Sequence, residues 1–397
     1  MDSQELQQIR NQLAKAEYES NLRIVSLKKP KLPLVLFFGR ENFSDNSKYL
    51  YLDACRNNYG FQPVWCSFNT QLVKQLLDLN LSAIDLTHNP AKNIAFLIKA
   101  PLCVYSISPN ESIRISTYTA ALAGAQKVQL WHGVGTKQLD LALTDKADMA
   151  SPSFVNQLVE SSSIDYILSP AKTWDKQWRE FFGVRKIIRA GMPRNEVLTR
   201  EPFEHELVGS FKKVFKSADT FKILWAPTYT FIGDAAPWMN QSIYEKIKAP
   251  FVKRKMKVEL VIKPHPYDNR FAEECKNNPL VIDSEPDIYP HLSQVDLLIT
   301  DKSSIFTDFL HCEKPIVFVK NDKLNETNSD NIFMTQLPGV ETELAFIESA
   351  IERVLSADEF VQIRAELKAK AFDTAASSAC REINSYFGQL VPELIAK

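Results

Sequence analysis

Two histidines stand where apolar runs give way to turn residues. In Trp131-His132-Gly133-Val134-Gly135-Thr136-Lys137 a histidine and two glycines follow Val128-Gln129-Leu130. Such a turn leaves an imidazole open to a crevice, where it can serve as a general base near neutral pH. The alternative is a turn histidine bonded to a backbone carbonyl. In Ile262-Lys263-Pro264-His265-Pro266 two prolines stiffen an extended backbone around His265. Lys263, two residues earlier, lies on the same face, so two cationic groups point one way. A proline-rich strand exit with a solvated lysine is the competing reading.

A third exit is Thr300-Asp301-Lys302-Ser303-Ser304-Ile305-Phe306-Thr307-Asp308-Phe309, after the apolar run Val295-Asp296-Leu297-Leu298-Ile299. A strand feeding a helix start is a ready phosphate site. The first turn leaves backbone N–H groups unpaired with partial positive charge, and Ser303 and Ser304 add hydroxyl donors. Asp301 or Ser303 acting only as a helix cap explains the same residues. In Trp225-Ala226-Pro227-Thr228-Tyr229-Thr230, Trp225 suits the core and Thr228 a ligand. In Gly191-Met192-Pro193-Arg194-Asn195-Glu196-Val197-Leu198, Arg194 either clamps a phosphate with two hydrogen bonds or pairs with a nearby carboxylate.

The elements that must hold these groups alternate. Strand-like runs occur at Leu34-Val35-Leu36-Phe37-Phe38, Pro63-Val64-Trp65-Cys66, Leu102-Cys103-Val104-Tyr105, Val128-Gln129-Leu130-Trp131 and Tyr166-Ile167-Leu168, with helical patterns between them. A polar stretch from about Leu198 to Thr220 breaks the rhythm. It resumes at Lys222-Ile223-Leu224-Trp225, Val258-Glu259-Leu260-Val261-Ile262, Leu297-Leu298-Ile299 and Ile316-Val317-Phe318-Val319. Alternation of this kind predicts two α/β domains, each a parallel sheet covered on both faces, with ligands beyond the carboxyl ends of the strands. A thin stripe of Leu6, Ile9, Leu13 and Ala16 predicts an N-terminal docking helix, and 357–390 reads as helices.

Composition narrows the chemistry. The 397 residues suffice for two domains, and 47 basic against 48 acidic residues give a net charge of −1, which recommends no nucleic-acid partner. Only 11 glycines occur, and neither a dinucleotide fingerprint nor a P-loop follows any strand. Cys55, Cys66, Cys103, Cys275, Cys312 and Cys380 are scattered, without zinc spacing or a disulfide framework. With a polar start lacking a signal core and no run near the ~20 apolar residues that span a bilayer, a cytoplasmic protein is expected. Lys28-Lys29-Lys31 and Lys253-Arg254-Lys255-Lys257 either rest on an anionic membrane surface, making the protein peripheral at its inner face, or are solvated charge.

Taken in order, these segments resemble the CDP-glycerol glycerophosphotransferase family of teichoic acid priming and polymerisation. Its W-H-G-x-x-x-K, G-x-P-R-N-[DE]-x-L, A-P-T-[WYF], [RK]-x-H-P and T-D-x-S-S-[IL]-x-x-D-[FY] elements are recognisable between about Leu34 and Val319. Phe38-Gly39-Arg40 through Phe43-Ser44-Asp45-Asn46-Ser47-Lys48-Tyr49 looks like its opening strand and S-D-N-P-K-Y loop. The resemblance implies two Rossmann-like domains facing a central cleft, the glycosyltransferase B type, with an N-terminal helix and C-terminal helices. It divides the chain into a helical segment 1–30, an acceptor-side domain 31–200, a donor domain 201–375 and a C-terminal helix 376–397 packing back on the first domain.

The resemblance also implies roles. His132 would take the proton of an acceptor hydroxyl attacking the β-phosphorus of CDP-glycerol, with release of CMP. His265 and Lys263 would stabilise phosphate charge. Thr228, Thr300, Asp301, Ser303, Ser304, Arg194 and Asn195 would hold the donor, and Gly133, Lys137, Ser44 and Asp45 would face a glycan or lipid-linked acceptor. No cofactor is required and no metal ligands are assigned; Mg²⁺ bridging the pyrophosphate is compatible with the set. Three departures stand out: Val134-Gly135-Thr136-Lys137 for the family's T-P-L-K, Thr230 for an arginine, and Lys302 for a tyrosine. They leave the acceptor open and admit a different CDP-alditol. Two other readings are a nucleotide-sugar glycosyltransferase of the same fold in surface polysaccharide synthesis and a catalytically silent scaffold, the latter opposed by the two histidines.

Overall fold

A computed structural model of the chain describes residues 3–134, 164–184, 186–227, 240–265, 277–301, 303–320 and 332–396. Strands β1 (Leu34–Phe38), β2 (Gln62–Ser67), β3 (Ala83–Asp85), β4 (Leu102–Tyr105), β5 (Gln126–Gln129), β6 (Tyr166–Ser169) and β7 (Lys186–Arg189) form the first sheet. They run parallel in the order β3-β2-β1-β4-β5-β6-β7. Strands β8 (Phe221–Ala226), β9 (Val258–Ile262), β10 (Leu297–Thr300), β11 (Ile316–Val319) and β12 (Val340–Thr342) form the second, parallel in the order β12-β11-β10-β8-β9. The expected pair of α/β units is therefore present.

The period of two along the strands explains the layering. Val35 and Phe37 face one apolar cluster while Leu34, Leu36 and Phe38 face another, so β1 is buried throughout. The first of these clusters also takes in Leu224, Leu298, Phe306 and Phe309, making one apolar core continuous between the two lobes. Trp225 packs into the outer cluster of the second sheet, the core role expected of it. The apolar runs do not name β3, β7 and β12, which are edges of their sheets and three or four residues long. Short edge strands carry little pattern to detect.

Both sheets reverse their winding direction where the candidate residues emerge. In the first sheet the switch lies between β1 and β4, in the second between β8 and β10. Loops leaving the carboxyl ends at such points diverge and open a crevice.

The terminal helices pack differently from one another. Helix Ser3–Lys28 meets the first lobe through its C-terminal half, where Leu22 is buried and the Ser26 hydroxyl donates to the Ala121 carbonyl at 2.6 Å. Leu6, Ile9 and Leu13 are exposed, so the expected docking stripe is not the face that docks. Gly124 permits this close approach: a Cβ there would strike the Ser26 carbonyl, and the Gly124 N–H donates to the Ser26 hydroxyl at 3.0 Å. Helix Ala379–Ile395 lies on helix Asp45–Arg56, with Asn384 Nδ2 donating to the Leu50 carbonyl at 3.0 Å and to Asp53 at 2.9 Å. Helix Val361–Ala371 straddles both lobes: Trp174 Nε1 donates to the Ala371 carbonyl at 2.8 Å, while Lys368 pairs with Glu313 at 2.7 Å.

Three of the seven cations in the two basic patches have partners among the described residues. Lys31 is half-buried and donates to the Ser26 and Ile98 carbonyls, and Lys253 and Arg254 pair with Glu348 and Glu352 at 2.8 and 2.5 Å. Lys28, Lys29, Lys255 and Lys257 of the same patches are exposed. Among the described residues no helix is long and apolar enough to cross one.

Candidate active site

One cavity at the facing carboxyl ends of the two sheets is lined by Arg40 after β1, His132 after β5, Lys263 and His265 after β9, and Ser303 and Ser304 after β10. Ser44, Asp45, Arg194 and Tyr289 complete its walls. Residues that the sequence places in six separate segments thus share one crevice, for the topological reason given above.

Arg194 is the hub between the lobes. Its Nη1 donates to Asp45 Oδ1 at 3.0 Å, its Nη2 to Asp308 Oδ2 at 2.5 Å, and its guanidinium lies 4.5 Å from the centre of the Tyr289 ring. The Tyr289 hydroxyl donates to the same Asp308 oxygen at 2.6 Å. Almost wholly buried and doubly ion-paired, Arg194 is a strut, which corrects the expectation of an open phosphate clamp. Of the two readings of Arg194, pairing with a carboxylate is the observed one; the carboxylates come from distant segments. Burial opposes ionisation of Asp45, yet Arg194 and Arg40 outweigh it and hold its carboxyl below the ordinary range.

The loop bearing His132 is held in an unusual shape. Trp131 has φ +56° and Gly133 φ +119°, and a Cβ on Gly133 would strike the Arg194 guanidinium. Asn46 Nδ2 donates to the Trp131 carbonyl at 2.7 Å and Gln129 Oε1 accepts from its N–H at 2.9 Å. Those bonds offset the cost of a bulky residue in the left-handed region. On the far side, the Thr307 hydroxyl donates to the Val134 carbonyl at 2.8 Å and so ties this loop to the second lobe.

His132 stacks on Trp131 with ring centres 4.2 Å apart, and its Nδ1 is buried with no hydrogen-bond partner among the described residues. Burial first, then the positive charges of Arg40, Arg194 and His265, push its pKa down to about 3 against the pull of Asp45. The ring is therefore neutral at physiological pH and has a free proton-accepting capacity. Two phosphate groups placed among these cations would cancel the repulsion that depresses it and raise its basicity.

On the opposite wall, burial pushes Lys263 down to about 8 although Asp287 and Asp283 favour its charge, and its Nζ donates to the Ser284 carbonyl at 2.6 Å. Ser304, the residue that precedes helix Ile305–Phe309, makes no side-chain capping bond to it. Three expected donor contacts are not on the cavity wall. The Thr300 hydroxyl donates to the Ala226 carbonyl at 2.7 Å as a tie between β10 and β8, Asp301 is buried, and the Asn195 amide is enclosed without a hydrogen-bond partner among the described residues. Thr228, Lys137 and Lys302 lie outside the described residues.

Several residues of the site carried no assigned role in the sequence. Arg40 and Asp308 stood inside recognised segments; Arg40 pairs with Asp45 five residues on, and Asp308 with Arg194, 114 residues away. Asp287 and Tyr289 gave no sequence signal at all. Among the described residues no group of three or more histidine, cysteine, aspartate and glutamate side chains is placed to hold a metal ion.

Residues 20–368 match the model of the family described as CDP-glycerol:poly(glycerophosphate) glycerophosphotransferase. The chain belongs to that family, and it is an enzyme of the glycerophosphotransferase kind. The teichoic acid poly(glycerol phosphate) polymerase of Bacillus spizizenii is 26% identical over 328 residues, covering 77% of this chain and 78% of that one. The chain spans only 41% and 48% of two longer polymerases of the same description, from Staphylococcus epidermidis and Bacillus subtilis. Among solved structures, the wall teichoic acid polymerase TagF superposes with a TM-score of 0.74 at 19% identity, over 98% of this chain and 97% of that one. A histidine-to-asparagine variant of TagF soaked with CDPG matches with a TM-score of 0.74 at 17% identity, over 98% and 97%. The shared architecture is the two-lobed glycosyltransferase B type expected from the sequence.

Proposed function

We propose that this glycerophosphotransferase-family chain moves glycerol phosphate, or a similar alditol phosphate, from CDP-glycerol to a hydroxyl of a glycan or lipid-linked acceptor. The setting is the synthesis of teichoic acid, capsule or a related surface polysaccharide. The observation that carries the proposal is a single cavity that has His132 on one lobe and His265, Lys263, Ser303 and Ser304 on the other. An unprotonated imidazole facing a set of cations and hydroxyls suits attack of an alcohol on a phosphate.

In the proposed step the acceptor oxygen forms a bond to the β-phosphorus. The bond from that phosphorus to the bridging oxygen breaks, and CMP leaves with the electron pair. The acceptor proton passes to His132. Lys263, His265 and Arg40 offset charge on the non-bridging and leaving oxygens, and the Ser303 and Ser304 hydroxyls orient the pyrophosphate. Arg194 acts at one remove, fixing Asp45, Gly133 and Asp308 so that the two lobes present their groups to the same phosphorus.

The decisive experiment offers CDP-glycerol, CDP-ribitol and a panel of nucleotide sugars with a glycan acceptor and follows CMP, UMP and UDP by mass spectrometry. CMP release with addition of a phosphoalditol is expected. A UDP-sugar as sole donor overturns the proposal in favour of a glycosyltransferase.

A further inference from the structure

A second cavity of about 520 Å³ opens beside the first, in the size range of small-ligand sites. Arg40, Asn42 and Glu285 line both cavities, so the two share a wall. Its other walls come from the loops after β1, β2 and β4, on the first sheet's side of the cleft and at the β1/β4 switch where ligands of such sheets bind. The donor arrangement described above uses Arg40 from the shared wall and none of Glu41, Asn69, Glu111 and Arg114.

Its charges are distinctive. Arg114 pairs with Glu41 at 2.5 Å, and Arg40 faces Asp45 at 3.4 Å. Arg114 has φ +57°, outside the comfortable region for its side chain, and its Nε donates to the Glu111 carbonyl at 3.1 Å. Asn69 is fixed as well, its Nδ2 on the Glu41 carbonyl at 3.1 Å and its Oδ1 capping the next helix. The wall is thus built and held. Both arginines have carboxylate partners, while Glu111 and Glu285 have no ion-pair partner among the described residues. A polyanion entering here would meet uncompensated carboxylates, whereas hydroxyl groups would find strong acceptors in them.

We propose that this cavity is the acceptor subsite and that it takes an uncharged polyhydroxyl chain end, a glycan, in preference to a poly(glycerol phosphate) chain. The proposal rests on the donor reading above and adds the acceptor's chemical class. Glu111 and Glu285 accept hydrogen bonds from sugar hydroxyls, Asn69 and the Arg114–Glu41 pair shape the wall, and Arg40 stands at the junction where the acceptor oxygen reaches the donor phosphate.

The test uses the full chain with saturating CDP-glycerol and two acceptor probes at equal concentration, a neutral oligosaccharide panel and a synthetic oligo(glycerol phosphate). The neutral panel should contain an acceptor at least about tenfold faster than the phosphate oligomer. Glu111→Lys, at an exposed position, should raise KM for that neutral acceptor by about tenfold or more, leave the donor KM within about twofold, and narrow the gap to the phosphate oligomer. Oligo(glycerol phosphate) as the better acceptor, or a variant that shifts the donor KM instead, overturns the acceptor proposal alone. Absence of CMP release with every acceptor overturns the donor reading and this proposal with it.

Discussion

Lys48 and Asp287, 239 residues apart in the chain, meet at 2.9 Å in an ion pair fully removed from solvent. The Tyr49 hydroxyl donates to the same Asp287 oxygen at 2.7 Å, and the Asp287 backbone carbonyl accepts from Ser210. The helix that begins at Asp45 is in this way fastened to the loop that carries Tyr289, and both supply cavity walls. Removing one member of a buried pair strands the other's charge. Lys48→Met should therefore lower the urea-unfolding free energy by about 3–5 kcal/mol. A loss under about 1 kcal/mol would mean that Asp287 reaches water or a new partner.

Gly133 is where backbone and hub collide. Alanine there would be strained at φ +119° and would push the Arg194 guanidinium off Asp308. Gly133→Ala should lower kcat at least about tenfold and stability by about 1–3 kcal/mol, measured by CMP release and thermal melting. Wild-type turnover would show that Arg194 can move without consequence.

The two histidines should separate from the scaffold in kinetics. His132→Ala and His265→Ala should each reduce kcat at least about a hundredfold with a melting temperature close to that of the parent. His132 has its pKa pushed down to about 3 in the free protein, and bound phosphates should raise it. The acid limb of kcat should then lie at higher pH than that of kcat/KM. Identical limbs would remove the imidazole as the titrating group.

Stability should fall in mild acid. His132 is pushed down to about 3, and His311, beside Phe372 with ring centres 4.5 Å apart, to about 4, in both cases chiefly by burial. Unfolded, both titrate near 6.5. Between about pH 6.5 and 4 the unfolded chain binds protons that the folded chain refuses, so stability is lost as pH falls through that window. The urea midpoint should drop from pH 7 to pH 5, and His311→Phe should flatten part of the slope. A midpoint independent of pH across that window would contradict these positions.

Positive charge around the cavity comes from Arg40, Lys263 and His265. With that supply, EDTA should leave turnover within about twofold. A loss above about tenfold that Mg²⁺ restores would assign part of the charge neutralisation to a bridging ion.

The amino-acid sequence by itself determined the class of architecture and most of the cavity's lining. Buried parallel strands are written as unbroken apolar runs, and the polar residues at their ends mark the edge where a crevice must open. For that reason His132, Lys263, His265, Ser303 and Ser304 could be singled out, and the structure brings them to one cavity. Short edge strands such as Ala83–Asp85 escape this logic because three residues carry no period.

Only the tertiary structure decided which polar residues face the cleft and which hold the lobes together. Arg194 looks the same in the sequence whether it meets a ligand or Asp308, because its partner lies 114 residues away. Thr300 and Asn195 sit in the same motifs as the cavity residues, yet both are buried. Asp287 has no local signal, since its role depends on Lys48 and Tyr49 arriving on a helix of the other lobe. Local pattern sets where a strand ends; long-range packing sets which charge must be buried, paired or left for a ligand.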